Sequence, residues 1–382
     1  MSCPPKTFMD TQVPRPMFDT DELVINMGPQ HPATHGVLRV VLRLDGERVV
    51  DADVVIGYLH RGVEKLCENR DWTQIVLITD RMDYVASATN NLAYCETVEK
   101  LLAVEVPRRA LYVRTILAEL QRLASHLVWL GSHAMDIGAI TVFLYALRER
   151  ELILDLFEEF CGARLTYNSM RIGGLPLDVP SEWGKKVLQF CNVMMQKLPE
   201  YEVLLTHNRI WLERTRGVGV ISGPEAIAIG LCGPPLRASG IPRDVRKDEP
   251  YAAYGEMQFE IPLGTRGDTY DRYLVRLEEM WQSVRIIRQA MEGLPEGPIV
   301  GKVPRLIKPP AGETYHANES PKGEIGYFIV SDGKATSPYR FRVRPPSFCN
   351  LQALPRLVRG HLVADVIALV GTIDIVLGEV DR

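Results

Sequence analysis

VPRRALYVRTILAELQRLASHLVWLG, residues 106–131, reads as one long helix. Ile116, Leu120, Leu123, Leu127 and Leu130 recur at steps of four and three, which lines one helix face with apolar side chains. Pro107 stands where a helix accepts proline, at the first turn. From Arg108 to about Gly131 such a helix is on the order of 35 Å long, enough to cross a domain.

On the C-terminal side the same period predicts a helix from Thr141 to Phe160, carrying Leu144, Leu147, Ile153, Leu156 and Phe157 and ending at Gly162. Further helices are expected at Glu182–Leu204 and Tyr270–Met291. Thr215–Gly267, between them, is rich in Gly and Pro and reads as irregular. Residues 293–322 hold many prolines and read as a connector. Glu324–Val330, a turn at Ser331-Asp332-Gly333, and Tyr339–Arg344 form a predicted hairpin, followed by a helix from Leu351 to about Gly371.

Toward the N-terminus, the helical pattern starts near Val85, after a helical region opened by Tyr58–Leu66. Before it, Leu23–Met27, Val37–Leu42 and Arg48–Val55 alternate or run apolar as strands do, with a turn at Leu44-Asp45-Gly46-Glu47. The expected class is α+β: a small N-terminal β-sheet, a large central helical bundle, and a C-terminal β-hairpin plus helix. The expected divisions are an extended arm over 1–20, a β domain over 21–60, a helical body over 61–292 with an irregular insert at 215–267, and an α/β segment over 293–382 that returns to the site. No internal repeat is evident.

Composition narrows the function. Apolar residues at 46%, charged residues at 24% and a net charge of −4 are ordinary for a globular chain and give no reason to invoke nucleic acid. No apolar run approaches the roughly 20 residues that span a bilayer, and the N-terminus has no signal or transit pattern. The chain is expected to stay on the side where it is made. Seven cysteines, at 3, 67, 95, 161, 191, 232 and 349, form no CxxC pair, so they read as reduced structural thiols. Nucleotide-binding glycine motifs and the GxSxG elbow are absent.

The chemistry concentrates in Gly28-Pro29-Gln30-His31-Pro32-Ala33-Thr34-His35-Gly36-Val37-Leu38. Two imidazoles sit in a loop stiffened by two prolines, which fix φ and restrict the residues before them, so the loop can hold a shape without hydrogen bonds of its own. Histidine is the side chain best suited to proton exchange near neutral pH. Pro32 argues against a helical His pair for metal, and no other ligand set accompanies it.

Several segments together resemble one family. They are Gly28–Arg39, Gly57-Tyr58-Leu59-His60-Arg61-Gly62-Val63-Glu64-Lys65, Asp80-Arg81-Met82-Asp83-Tyr84-Val85, His133-Ala134-Met135-Asp136-Ile137-Gly138-Ala139, Arg237–Asp244, Pro321-Lys322-Gly323-Glu324, and the closing Gly371–Arg382. From about residue 22 to the last, the chain resembles the D-type, or 49-kDa-type, chain of respiratory complex I, the proton-pumping NADH:quinone oxidoreductase. That family is similar in fold to the large subunit of nickel–iron hydrogenases, and the Arg61-Gly62-Val63-Glu64 segment carries that likeness. A hydrogenase needs two cysteine pairs, because soft thiolates hold nickel and iron. Here Arg81 is followed by Met82-Asp83-Tyr84-Val85 and Asp374 by Ile375-Val376-Leu377-Gly378, so the thiols are missing from both places.

The resemblance implies that the emptied metal site takes a quinone headgroup. It implies that His35 and Tyr84 donate to the two quinone oxygens, and that Asp136 holds His35. Imidazole and phenol, with ordinary pKa values of roughly 6.5 and 10, can each give a hydrogen bond and then a proton to a reduced quinone. His31, Pro32, Thr34 and Gly36 are implied to shape the pocket loop, with His31 structural. Arg61, with His60, is implied to lie near a [4Fe–4S] cluster in the neighbouring iron–sulfur subunit. This chain would bind no cofactor or metal of its own. The implied partners are the B-type iron–sulfur chain, a C-type chain, an I-type ferredoxin-like chain and an H-type membrane chain. The implied location is the cytoplasmic face of the cell membrane, as a peripheral part of a membrane complex. Mitochondrial relatives carry a histidine after the Gly-Ala-Arg segment, where Gly162-Ala163-Arg164-Leu165 is followed here by Thr166, which puts a pH-dependent cluster potential in doubt. Two alternatives stay open: the same role in a ferredoxin- or F420-linked complex, and a catalytically silent scaffold.

Overall fold

A computed structural model describes residues 22–382. The arm expected over 1–20 lies outside the described residues. β1 (Leu23–Met27), β2 (Arg39–Asp45) and β3 (Arg48–Val55) form an antiparallel sheet in that order, with a bulge between Arg43 and Leu44. Val40, Leu42 and Leu44 alternate inward along β2 and meet Leu354, Leu357, Leu369 and Val370 from the C-terminal helices. The N-terminal sheet is therefore seated on the end of the chain.

Six helices follow: α1 (Val63–Cys67), α2 (Trp72–Thr79), α3 (Ser87–Leu102), α4 (Arg108–Asp136), α5 (Ile140–Cys161) and α6 (Trp183–Tyr201). Short α7 (Arg209–Thr215), α8 (Gly223–Ile229), α9 (Pro234–Ala238) and α10 (Val245–Asp248) precede the long α11 (Thr269–Glu292). β4 (Gly312–Ser320), β5 (Gly323–Ser331) and β6 (Arg340–Arg344) make a second antiparallel sheet in chain order. The chain closes with α12 (Pro346–Leu351), α13 (Leu354–Val358), α14 (Val363–Ile373) and α15 (Leu377–Asp381). The α+β expectation agrees with this mixture. No helix among the described residues is long and apolar enough to cross a membrane.

Four expectations are corrected. The helical region opened by Tyr58 begins only at Val63, because Gly57 and Gly62 adopt positive φ around an open turn. The helix expected to Leu204 stops at Tyr201 and continues as a π-helical turn over Glu202–Thr206, past Pro199. The C-terminal sheet has three strands, not two. Its first, Gly312–Ser320, was hidden in the expected connector because its inward residues include Asn318, Glu319 and Ser320, whose burial is made possible by partners elsewhere. Finally, the helix expected from Leu351 to Gly371 is broken. Gly360, at φ +82°, turns the chain so that Gly360 and Val363 donate backbone hydrogen bonds to Val49 and Glu47 beside β3.

The helix read first is the spine of the molecule. Its apolar residues Ile116, Leu120, Leu123, Leu127 and Leu130 are buried, but so are Arg114, Glu119, Arg122, His126 and His133. α4 packs against α3, α5, α11 and α14, so it has little solvent face. At Gly131 a methyl group would meet Phe143 Cα at 3.2 Å, which is how closely α5 crosses. α4 also runs past Gly131 to Asp136, about one turn and a half further than the apolar period alone indicated.

Burying charge requires matched partners. Arg114 grips Glu99 through two bonds of 2.9 and 2.6 Å. Glu119 meets Arg122, Arg246, Tyr254 and Ser283. Arg237 spans Glu279 at 2.7 Å and Glu319 at 2.7 Å, and the other Glu279 oxygen lies 2.9 Å from His126 Nε2. Arg237 and the His126 ring hold the Glu279 carboxyl far below the usual range against the opposing effect of burial. A depressed carboxylate stabilises the fold above the ordinary carboxylate pKa and loses that contribution as the pH falls through its folded value. Glu279→Ala leaves a buried guanidinium short of a partner and should cost about 3–5 kcal/mol, read from chemical denaturation. Glu279→Gln, which keeps the shape, should cost less. Equal, small losses for both would mean that the network carries no stability.

Candidate functional site

The His-bearing loop between β1 and β2 is built from backbone conformations that few residues adopt. Gly28 has φ +91°, and a Cβ there would lie 1.9 Å from Leu38 O. His35 sits in the left-handed region at φ +53° and Gly36 follows at +133°. A short 3-10 turn, Pro32–Thr34, brings His31 and Gly36 into a bridge across the loop. The buried Thr34 hydroxyl lies 2.7 Å from His31 O and 2.9 Å from Gly36 O, sharing its one hydrogen between them. The proline-stiffened loop thus does use hydrogen bonds of its own. His31, Pro32 and Gly36 face outward, while Thr34 is the interior pin.

This geometry aims His35 at the end of the spine. His35 Nε2 lies 2.8 Å from Oδ2 of Asp136, the last residue of α4, with side-chain exposures of 20% and 11%. The distance is that of an ion pair, while neither atom has an aligned hydrogen-bond partner. The contact is therefore charge-led and angularly loose. Asp136 could instead have capped the α4–α5 turn without reaching His35. It reaches His35.

Behind the pair lies a floor of aromatic rings and cations. His133, one turn before Asp136, stacks on Trp129 at 5.3 Å and meets the edge of Trp211 at 5.4 Å. Burial, with the His35, Arg276 and Arg272 charges, pushes the His133 pKa far down, so it stays neutral. The Arg276 guanidinium lies 4.3 Å from the Trp129 ring centroid, and burial lowers its pKa to about 10. Gly371 on α14 fits against both histidines: a Cβ there would stand 2.5 Å from His133 Nδ1 and 3.3 Å from His35 Nε2.

Tyr84 belongs to a second loop, after α2, and is 44% exposed. The segment after Gly371 ties the two loops together. Gly36 rests beside Leu377, and Gly378 lies against Met82 O. Arg61 Nη2 donates to Arg81 O at 3.0 Å and Gly378 O at 2.9 Å. His60 Nδ1 lies 2.7 Å from Asp381 O, and the Gly57 and Leu59 amides donate to the Asp381 carboxylate. His35 and Asp136 are thus brought into contact. Tyr84, Arg61 and His60 share the C-terminal segment with them, and no hydrogen bond joins Tyr84 to His35.

Beside Tyr84, residues that the sequence did not single out form a buried cluster. Lys322, in the β4–β5 turn, has its Nζ 3.1 Å from Asp83 Oδ2, 3.9 Å from Asp374 Oδ2 and 3.0 Å from Ser125 Oγ. Glu379 is buried next to them. Lys322 reads from the sequence as an exposed turn residue. The signal available was its place in the Pro321-Lys322-Gly323-Glu324 motif.

These are the places where a hydrogenase would carry thiolates. The groups present, Asp83, Asp374 and Lys322, are hard oxygens and an ammonium, a set that does not suit nickel. Among the described residues no group of His, Cys, Asp or Glu is arranged to hold a metal ion.

A site of exchangeable protons, laid on a hydrogenase-like framework without its thiolates, defines the class, and comparison with known proteins agrees. The profile of the respiratory-chain NADH dehydrogenase 49 Kd subunit matches residues 136–309 and 301–382, and that of nickel-dependent hydrogenases matches residues 61–150. The second of two D-type subunits of NADH-quinone oxidoreductase in Solibacter usitatus is 59% identical over 365 residues, covering 96% of this chain and 98% of that protein. Its counterpart in Thermodesulfovibrio yellowstonii is 51% identical, covering 94% of this chain and 96% of that one. The D-type subunit of the NADH-quinone oxidoreductase of Geotalea uraniireducens is 50% identical, covering 96% and 100%. The chain belongs to the 49-kDa, or D-type, family of respiratory NADH dehydrogenase subunits.

Gly371 gives a direct test of the geometry. Gly371→Ala forces His133 or α14 to move, which should cost about 1–3 kcal/mol of stability and displace His35 from Asp136. Unfolding should show the first effect. If the variant keeps wild-type quinone reductase activity in an assembled complex, the close approach of α14 has no bearing on the site.

Proposed function

We propose that this chain forms, with a neighbouring iron–sulfur subunit, the cavity in which quinone is reduced and protonated, as part of a proton-translocating NADH:quinone oxidoreductase. The observation that carries this reading is the His35–Asp136 contact at the end of the central helix, with Tyr84 on the adjoining loop. Both donors lie in exposed or half-buried surface, which suits a cavity completed by another chain.

Quinone reduction takes two electrons and two protons. The electrons come from a [4Fe–4S] cluster in the B-type partner, since the residues here supply no redox centre. Each carbonyl oxygen becomes strongly basic as charge arrives. His35 gives its ring proton to one, and Asp136 then faces a neutral imidazole and releases it. Tyr84 gives its hydroxyl proton to the other. A hydrogen bond strengthened only as charge develops is the kind that speeds the step. Arg61, fixed by two carbonyls, presents positive charge toward the cluster side, with His60 beside it. C-type, I-type and H-type chains complete the complex, and the chain lies at the cytoplasmic face of the membrane without entering it. Coupling to proton pumping follows from the charge change at His35–Asp136.

Tyr84→Phe keeps the ring and removes the donor. Quinone reductase activity in the assembled complex should fall by about 2–4 kcal/mol of barrier, while NADH oxidation by an artificial upstream acceptor persists. Unchanged quinone turnover would remove Tyr84 from the mechanism. For the other donor, a double-mutant cycle of His35→Ala and Asp136→Asn should show that breaking both costs little more than breaking one. Additive losses would mean that the two act independently.

A further inference from the structure

Glu379 is a buried acid that this mechanism leaves unused. Its Oε2 accepts the Ser347 amide at 3.1 Å, and its Oε1 has no partner. Asp83 faces it from the Tyr84 loop, Lys322 from the β4–β5 turn and Tyr327 from β5. Cys349 on α12 and Arg382 beyond α15 complete its charged and titratable surroundings. The Tyr327 hydroxyl and Asp83 Oδ2 are also buried without a hydrogen-bond partner. Two carboxylates and a phenol therefore share an interior where a single ammonium, Lys322, supplies the nearest compensating charge. Such an arrangement favours keeping one carboxyl neutral.

The position matters as much as the chemistry. On one side of Glu379 lies Asp83, directly before Tyr84 in the chain. On the other, a cleft of about 400 Å³ is lined by His60, Glu64, Phe348, Val380, Asp381 and Arg382. That cleft reaches the residues flanking Glu379 but not Glu379 itself. Burial, and then the Asp83 charge, push the Glu379 carboxyl up to about 8.

We propose that Glu379 stores the proton that reloads Tyr84 after quinone reduction, passing it through Asp83 and regaining it from the cleft beside Val380–Arg382. This rests on Tyr84 being a proton donor to quinone. When the neighbouring cluster has delivered two electrons, the Tyr84 O–H and His35 N–H bonds break and two quinol O–H bonds form. Tyrosinate and neutral imidazole remain. The Glu379 Oε1–H bond then breaks, its proton crosses the Asp83 carboxylate, and the Tyr84 O–H bond re-forms. Glu379, left as a carboxylate, takes a proton from water in the cleft. Neither Glu379 nor Asp83 touches quinone, so both are positioning residues for the proton.

The test is the pH profile of quinone reduction by the assembled complex in membranes. Wild type should hold a plateau to about pH 8 and decline above it. Glu379→Gln keeps the shape and the Ser347 bond but stores nothing, so reloading comes from bulk water. Its rate should fall from a lower pH, by about tenfold per unit. Glu379→Asp should restore much of the plateau, and NADH oxidation by an upstream artificial acceptor should not change in either. A wild-type profile in Glu379→Gln, alongside a slowed Tyr84→Phe, overturns the store and leaves Tyr84 as donor. Unchanged turnover in Tyr84→Phe overturns both. If Glu379→Gln fails to assemble, the infrared difference spectrum of the wild-type complex on reduction decides. A buried carboxylic-acid carbonyl band that bleaches under turnover supports the store, and its absence overturns it.

Discussion

Enclosing α4 on nearly every side is the constraint from which the remainder follows. A helix of 29 residues carrying Arg114, Glu119, Arg122 and His126 can be enclosed only if every charge finds an opposite inside. The partners come from far along the chain: Glu99 on α3, Arg237 on α9, Arg246 on α10, Glu279 on α11 and Glu319 on β4. Segments without a regular hydrophobic pattern of their own are thereby held in register by ion pairs to the spine. The spine's far end, once fixed, delivers Asp136 to His35.

The C-terminal segment is the second organiser. It threads between the two donor loops and closes the floor with Gly371. It also supplies the carbonyls that hold Arg61 and the carboxylate that holds the Gly57–Leu59 turn. A framework suited to thiolate-bound metal becomes, by exchange of a few side chains, one lined with acids, an ammonium and a phenol. The backbone that positions them need not differ, since what changes is whether the groups prefer soft metal or protons.

Long amphipathic elements were legible in the sequence. The helix boundaries at Ile140–Cys161 and Thr269–Glu292 follow the expected ones within a residue or two, because Gly162 and Asp268 mark their ends. The strand Gly312–Ser320 was not legible, since its buried side chains are polar and their partners are distant in sequence. The same limit hid the site's depth. His35 and Asp136 were named through family motifs, and their contact depends on the left-handed conformation at His35. Lys322 and Glu379 gave no local sign of burial. Periodicity reports where apolar side chains fall, and it is silent on charges buried in matched sets.

The backbone at His35 has a consequence for how the position can vary. With φ at +53°, the residue occupies a region that asparagine and aspartate tolerate and that β-branched side chains avoid. Chemistry and conformation are therefore entangled at this one position. An asparagine there would remove the exchangeable proton and leave the loop its course, whereas a valine of similar bulk would disturb the chain path before any question of acidity arose. The repertoire open to evolution at residue 35 is narrowed by sterics first, and among the left-handed-tolerant side chains histidine is the one that both donates a proton near neutrality and reaches the end of α4.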